Sequence, residues 1–505
     1  MTAAASPDAV YAVARQTPLE RAYNLSTRLG RPAWIKREDL QSIFSFKIRG
    51  AAHRIAQLVA SRSRASGSNS MQGVVAASAG NHAQGVASAA AYHGLSALIV
   101  MPRTTPDVKI QAVQKLGATV ELVGDSYDQA SVAAHQLAKQ EHLELVHPFD
   151  DTDVIYGQGT VALEILNQHP EPIDAIFIPV GGGGLLAGMV AYIKATRPEI
   201  KVIGVEPDDS DCGRRAYQAG HPVDLDEVGL FTDGVAVRRI GSQTFPWILN
   251  YCDDMITVSI DQICNSVRDL FEDLRIVAEP AGALATAGMA QWCAQHPDSD
   301  GAVVAVCSGA NTNFERLGHI VERSSLSPER ETLLCIQIPE KSGSFLKLCR
   351  DLGDCDVSEF NYRFSHADQA HIFIGVRHLG QSAKSLQKHM EALGYRCSDL
   401  SHNELAKGHL RFMVGGRARS VGREMVYRFV FPERPGALLK FLDGLGGRWN
   451  ITLFHYRNHG AAYARVFVGF DLGASPLSEL EKDLARTGYR FHAESANPAY
   501  LDFLR

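Results

Sequence analysis

The chain has 505 residues, 45% apolar and 21% charged, with a net charge of −6. That is the balance of a soluble globular protein with room for about three domains, and charges scattered without a basic run exclude a nucleic-acid or anionic-membrane surface as its organising feature. Nine cysteines with no C-x-x-C pair point to free thiols in a reducing, cytoplasmic compartment and to no metal site, while the lack of an apolar leader or of an apolar run of about 18 residues predicts neither secretion nor a membrane span.

In chain order, the first chemically marked stretch is SIFSFKIRGA, Ser42 to Ala51. Lys47 lies between Phe46 and Ile48, at the start of a predicted helix. Such a lysine is either a surface cation or an amine whose pKa an apolar site lowers until it can attack a carbonyl. The stretch alone leaves both open. SRSRASGSNS, residues 61–70, reads as a flexible surface loop. From about residue 73 to 308 short β-branched runs alternate with helical stretches. Strands are predicted at 73–78, 97–101, 119–123, 143–146, 175–180, 201–207, 255–260 and 302–309. Several are continuous apolar runs, as expected of parallel strands covered on both faces, so the fold class is α/β with a doubly wound domain.

Several of these strands end in polar or glycine-rich turns. After the first, Ser78, Gly80, Asn81 and His82 cluster where a small-residue helix opens. Hydroxyl and N–H groups there suit a carboxylate, and an amide suits a phenolic oxygen. N-capping is the plainer reading for Ser78 and Asn81, and His82 by itself reads as structural. AIFIPVGGGGLLAG places Gly181 to Gly184 between a strand and a helix, where close backbone approach and the helix N-terminus suit a phosphate. The spacing fits neither common mononucleotide pattern. EPAGALA, from Glu279, reads as a helix start with Pro in its first turn, Glu279 being a remote candidate for a cation. VVAVCSGANTN offers Ser308 at a third strand end.

The polar stretch 322–331 reads as a hinge. Beyond it IPEKSGSFLKLCRDLG, from Ile338, recurs as FPERPGALLKFLDGLG, from Phe431. Each copy reads strand, Gly turn (Gly343 or Gly436), helix, strand, which gives two tandem modules of roughly 80 residues.

SFKIRGA, SAGNHAQG, IYGQGT, GGGGLLAG, EPAGA and SGAN, in this order, resemble the fold-type II (tryptophan synthase β-like) enzymes dependent on pyridoxal 5′-phosphate (PLP). With the C-terminal repeat the chain resembles the biosynthetic threonine ammonia-lyases, whose regulatory half carries two ACT-like α+β modules. The resemblance implies a catalytic domain at 1–325 and modules at 333–405 and 425–500. It implies that Lys47 carries the cofactor and acts as general base, that Phe46 lies against the cofactor and that Asn81 bonds its ring hydroxyl. Gly181, Gly182, Gly183, Gly184 and Leu185 would bind its phosphate, and Ser308 would face its ring nitrogen. Ser78, Gly80 and Asn81 would hold the substrate carboxylate. L-threonine is the implied substrate, with L-serine secondary, isoleucine the inhibitor, valine a possible antagonist, and a homotetramer the assembly. The catalytic motifs alone leave open β-replacement at serine, serine racemisation and threonine synthesis, and a non-catalytic amino-acid sensor is the rival from another class.

Overall fold

The structure, a computed structural model, describes residues 7–64, 72–325, 331–339, 347–348, 351–352, 356–363, 369–377, 383–410, 423–432, 441, 444–445, 448–457 and 463–504. They fall into two compact units, Met1–Phe314 and Glu315–Arg505.

The strands of the first unit are β1 (Leu19–Arg21), β2 (Ala33–Arg37), β3 (Gly73–Ala77), β4 (Ser96–Met101), β5 (Thr119–Leu122), β6 (Glu144–Leu145), β7 (Ile173–Pro179), β8 (Lys201–Pro207), β9 (Asp254–Val258) and β10 (Ala302–Cys307). They divide into two sheets, in the orders β5-β4-β3-β6 and β1-β2-β10-β7-β8-β9. Every pairing is parallel except that of β1, which closes one edge antiparallel to β2. β3 and β10 are buried along their whole length, which is why they read as unbroken apolar runs. The predicted strand at 255–260 ends earlier, at Val258. Ser259 and Gln262 form a capping box there that starts the Ile260–Leu274 helix. The polar stretch 61–70 begins within a helix, since Lys47–Arg64 is helical throughout. The rest of that stretch lies outside the described residues.

Beneath the start of the Lys47–Arg64 helix lies a buried ionic cluster. Arg49 donates to Glu38 at 2.7 Å and to Glu164 at 2.5 Å, and Lys36 donates to Glu164 at 2.6 Å. Thr17 and Tyr11 add hydroxyl bonds to the carboxylates. All four charged side chains are buried. The cluster ties β2 and the turn after it to the helices Lys47–Arg64 and Thr152–Gln168. Glycines complete the contact: a Cβ at Gly157 would meet the Arg49 carbonyl at 2.5 Å, and one at Gly50 would meet Gln158 at 2.4 Å.

In the second unit β11 (Glu331–Pro339), β12 (Asp356–Arg363), β13 (Gln369–Arg377) and β14 (Arg396–Asp399) form one antiparallel sheet, ordered β12-β13-β11-β14. β15 (Glu424–Pro432), β16 (Asn450–Arg457), β17 (Tyr463–Asp471) and β18 (Arg490–Ala493) repeat it as β16-β17-β15-β18. Even the irregularity recurs, between Val357 and Glu359 and between Ile451 and Leu453. A shared core joins the copies through Leu333, Phe373, Val426, Phe467 and Tyr500. There Asn403 and Asn497, each capping its own helix, bond to one another at 3.0 Å. The turns at Gly343 and Gly436 lie outside the described residues, and the polar hinge is helical as far as Ser325.

The ionic cluster sets the first expectation. Burial pushes the Glu164 carboxyl up, but Arg49 and Lys36 outweigh it and hold the group below its ordinary value. Its stabilisation is therefore full above the ordinary carboxylate pKa and is lost as pH falls through the lower folded value. Glu164→Gln leaves the buried cations under-compensated and should cost about 3–5 kcal/mol. Urea unfolding at neutral pH and at acid pH measures both. A variant as stable as the parent, with the same acid sensitivity, would contradict the assignment.

Candidate active site

Parallel strands deliver their following turns to one edge of a sheet, where ligands of α/β proteins bind. In the first unit Ser78–Asn81 follows β3, Pro148 follows β6, Gly181–Gly184 follows β7 and Ser308 follows β10. Contacts join these turns.

Lys47 is the first residue of its helix and is half-buried. Its Nζ donates to the Pro148 carbonyl at 2.9 Å and lies 5.3 Å from the centroid of the Phe46 ring. Burial lowers its pKa to about 8, against a smaller upward pull from Glu279. The backbone before Lys47 is stitched to the β10 turn. Phe46 N donates to Ser308 O at 3.1 Å, Ser45 pairs with Gly309, and Ala310 N donates to Phe44 O at 2.9 Å. Ser308 itself is buried and its hydroxyl donates to Ala281 O at 3.1 Å.

Asn81 begins the Asn81–Tyr92 helix, yet it caps nothing: the N-cap is Gly80, with no side-chain bond. Instead Asn81 Nδ2 donates to Glu279 Oε1 at 2.7 Å, and Asn81 Oδ1 accepts from Asn311 at 2.6 Å. Ser78 Oγ accepts from Gly80 N at 3.3 Å. A Cβ on Gly80 would meet nothing within 4 Å, so this turn borders open space. His82 donates from Nε2 to Val146 O at 2.9 Å, which leaves Nδ1 without a proton. Burial, with the nearby Lys47 charge, holds its pKa down to about 3. It serves as a neutral tie between the Asn81–Tyr92 helix and the end of β6.

At the glycine turn, Gly183 has φ +90°, a conformation that side chains resist. It caps the Gly184–Thr196 helix without a side-chain acceptor, so the first N–H groups of the helix have no side-chain cap in competition with an anion. The turn is tight as well: a Cβ on Gly182 would sit 2.2 Å from the Phe149 ring. An uncapped helix N-terminus, a half-buried amine of lowered pKa, an amide and a buried hydroxyl fit the phosphate, aldehyde, hydroxyl and ring nitrogen of PLP.

In sequence Glu279 reads as a helix start and a remote cation candidate, and nothing singles out Asn311 or His147–Asp150, yet Glu279 and Asn311 hold Asn81 and Pro148 meets Lys47. Asn311 stands within the quoted SGAN stretch. The segment HPFD carried the same signal as the other turns, polar residues directly after a strand. Among the described residues no group of three or more His, Cys, Asp or Glu could hold a metal ion, and no helix is long and apolar enough to cross a membrane.

This is the layout of a fold-type II PLP enzyme. Residues 10–309 match the family of pyridoxal-phosphate dependent enzymes, and 322–410 and 415–504 each match the C-terminal regulatory domain of threonine dehydratase. The biosynthetic L-threonine dehydratases IlvA of Burkholderia multivorans and Escherichia coli are each 49% identical, over 98% of this chain and 97% and 95% of their own lengths. The solved structure of processed threonine deaminase isoform 2 from Solanum lycopersicum is 43% identical, with a TM-score of 0.59, over 62% of this chain and 90% of that one. Serine racemase from Dictyostelium discoideum is 32% identical, with a TM-score of 0.56, over 61% of this chain and 96% of that one. The chain belongs to the pyridoxal-phosphate-dependent enzymes and, within them, to the biosynthetic threonine dehydratases.

The electrostatics predict how Lys47 titrates. In cofactor-free protein its reaction with a small aldehyde should rise with an apparent pKa of about 8, against ~10.4 for a free lysine. Glu279→Gln, which removes the charge that favours the ammonium, should lower it further. Peptide mass spectrometry across pH reads both shifts; a rise only near the ordinary lysine value contradicts them.

Proposed function

We propose that the chain is a PLP-dependent L-threonine ammonia-lyase that forms 2-oxobutanoate and ammonia, the entry step to isoleucine. The observation that carries this reading is that the similarity to biosynthetic threonine dehydratases runs through both halves at about one identity in two. When bound, PLP supplies the electron sink for negative charge at the substrate Cα. The chain's own residues do the rest. Lys47 holds the cofactor aldehyde and, once released, takes the Cα proton. Its lowered pKa keeps a useful fraction of the amine neutral near pH 7. Asn81, held by Glu279 and Asn311, presents its amide to the ring hydroxyl, and Phe46 flanks the ring. Gly181–Leu185 takes the phosphate through backbone N–H groups. Ser78, Gly80 and Asn81 take the substrate carboxylate. Ser308 meets the ring nitrogen with a hydroxyl, which cannot hold a full positive charge there as a carboxylate would, and this favours loss of the β-hydroxyl over transamination. The dehydrated product hydrolyses to the keto acid and ammonia. L-serine is the secondary substrate of the same chemistry.

The domains in this reading are 1–325 for catalysis and 333–405 and 425–500 for regulation. A compact unit that ends at Phe314 and two regulatory-family matches, at 322–410 and 415–504, support one catalytic part followed by two regulatory ones. Isoleucine is the inhibitor and valine its antagonist, in a cytoplasmic homotetramer. An effector acts only through different affinities for two states of the protein. A coupling of roughly 1–3 kcal/mol would change threonine affinity about 5- to 150-fold. The serine racemase of Dictyostelium discoideum covers 61% of this chain, against 98% for the IlvA threonine dehydratases, and this favours the threonine reading.

Assay of the purified protein for 2-oxobutanoate from threonine tests the reading; no keto acid from the PLP-loaded protein refutes it. Lys47→Ala should abolish turnover in a folded protein, and Ser308→Asp should alter the pH dependence of the cofactor's visible spectrum and impair elimination. Near-normal activity of the first variant or an unchanged titration of the second would remove that residue from the site. Truncation before Leu333 should leave some activity and remove the response to isoleucine. An intact enzyme with hyperbolic threonine kinetics that isoleucine leaves untouched would contradict the regulatory part.

A further inference from the structure

One group near the site has no part in the chemistry above. Asp150 stands between the segment that meets Lys47 and the loop that grips the glycine turn. Its Oδ1 accepts from Gln243 N at 2.6 Å, and its Oδ2 accepts from Ser242 N at 3.0 Å and from Ser242 Oγ at 2.8 Å. The same loop donates once more, from Gln243 Nε2 to Asp150 O at 3.0 Å. The loop so held reaches the glycine turn. Gly241 N donates to Gly182 O at 3.1 Å, and Thr244 Oγ1 donates to the same carbonyl at 2.7 Å. On its other side Asp150 is fixed by its own N–H, donated to His147 Nδ1 at 2.7 Å. Between them Phe149 packs on Gly182, and Pro148 O receives Lys47 Nζ. Lys47 and the glycine turn, which belong to different helices, are thus joined by the packing of Phe149 and by the Asp150 carboxylate.

We propose that Asp150 is a positioning residue for the phosphate end of the cofactor: it fixes the 241–244 loop, which orients the Gly182 peptide and the cradle that follows. This rests on the reading that Gly181–Leu185 takes the phosphate of PLP. A carboxylate suits the task because it accepts all three bonds with its two oxygens. An asparagine keeps the shape and one acceptor oxygen, but turns an NH₂ group toward Ser242 N.

The test compares two ligands. Cofactor-free wild type, Asp150→Asn and Ser242→Ala are titrated with PLP and with pyridoxal, which lacks the phosphate, following tryptophan fluorescence and the visible band of the bound ligand. Asp150→Asn should raise the Kd for PLP roughly tenfold or more and leave that for pyridoxal within about twofold, because the aldehyde and ring contacts are untouched. Ser242→Ala, which loses one bond of the three, should weaken PLP binding less. Equal weakening toward both ligands would mean general loosening of the site and overturn the proposal, as would unchanged PLP affinity. Should Asp150→Asn fail to fold, Thr244→Val decides, since it removes the side-chain bond to the Gly182 carbonyl, leaving that from Gly241 N, without touching Asp150. The same selective loss for PLP supports the proposal and its absence overturns it. Wild-type protein that takes up neither ligand would overturn the cofactor reading itself, a result distinct from either variant's failure.

Discussion

Two residues beyond Lys47, Arg49 is locked between Glu38 and Glu164, with Lys36 on the far side of Glu164. Two cations and two carboxylates balance within one buried cluster. Taking such charges from water is expensive, and only close pairing makes it tolerable. Burial pulls the Arg49 pKa down, yet the two glutamates more than reverse this, so the guanidinium is charged at every relevant pH. The cluster fixes the first turn of the Lys47–Arg64 helix against the Thr152–Gln168 helix, and the segment leading into that second helix supplies the Pro148 carbonyl that receives Lys47. Lys47 and the carbonyl it meets are therefore set by the same helix pair.

Above the cluster the site itself is sparing in charge. His82 and His147 are both held below the ordinary histidine pKa, chiefly by burial. His147 Nδ1 accepts N–H bonds from Phe149 and Asp150, as a neutral ring must. That leaves Lys47 and Glu279 as the coupled pair. Burial moves the amine toward neutrality while Glu279 limits the shift, so the amine can pass between its neutral, nucleophilic form and the ammonium near neutral pH. A site with fixed cations beside Lys47 would hold the amine neutral throughout; one with more carboxylates would keep it an ammonium.

Much of this was legible in the chain. Parallel strands buried on both faces announce themselves as apolar runs, and glycines with a helix behind them mark a place where backbone must approach a ligand. The unread parts have physical reasons. β2 carries Lys36 and Arg37, so it looks like surface; it is interior because Glu164 and Glu20, distant in sequence, and Asp39, in the turn that follows, neutralise it. The division of the strands into two sheets leaves no local trace, because β10 pairs with β2 across most of the unit's length. Ser78 and Asn81 look like caps, and only the tertiary contact with Glu279 shows Asn81 turned elsewhere. The duplication in the second unit was plain from its recurring residues, but the paired Asn403 and Asn497 were not, since each alone is an ordinary helix cap.

The central claim is that one lysine, set by the buried cluster and eased toward neutrality by burial, carries the cofactor. The most direct measurement is borohydride reduction of the PLP-loaded protein followed by peptide mapping. The account predicts a single modified peptide, the one containing Lys47. A stable pyridoxyl group on any other lysine, with Lys47 unmodified, would contradict it.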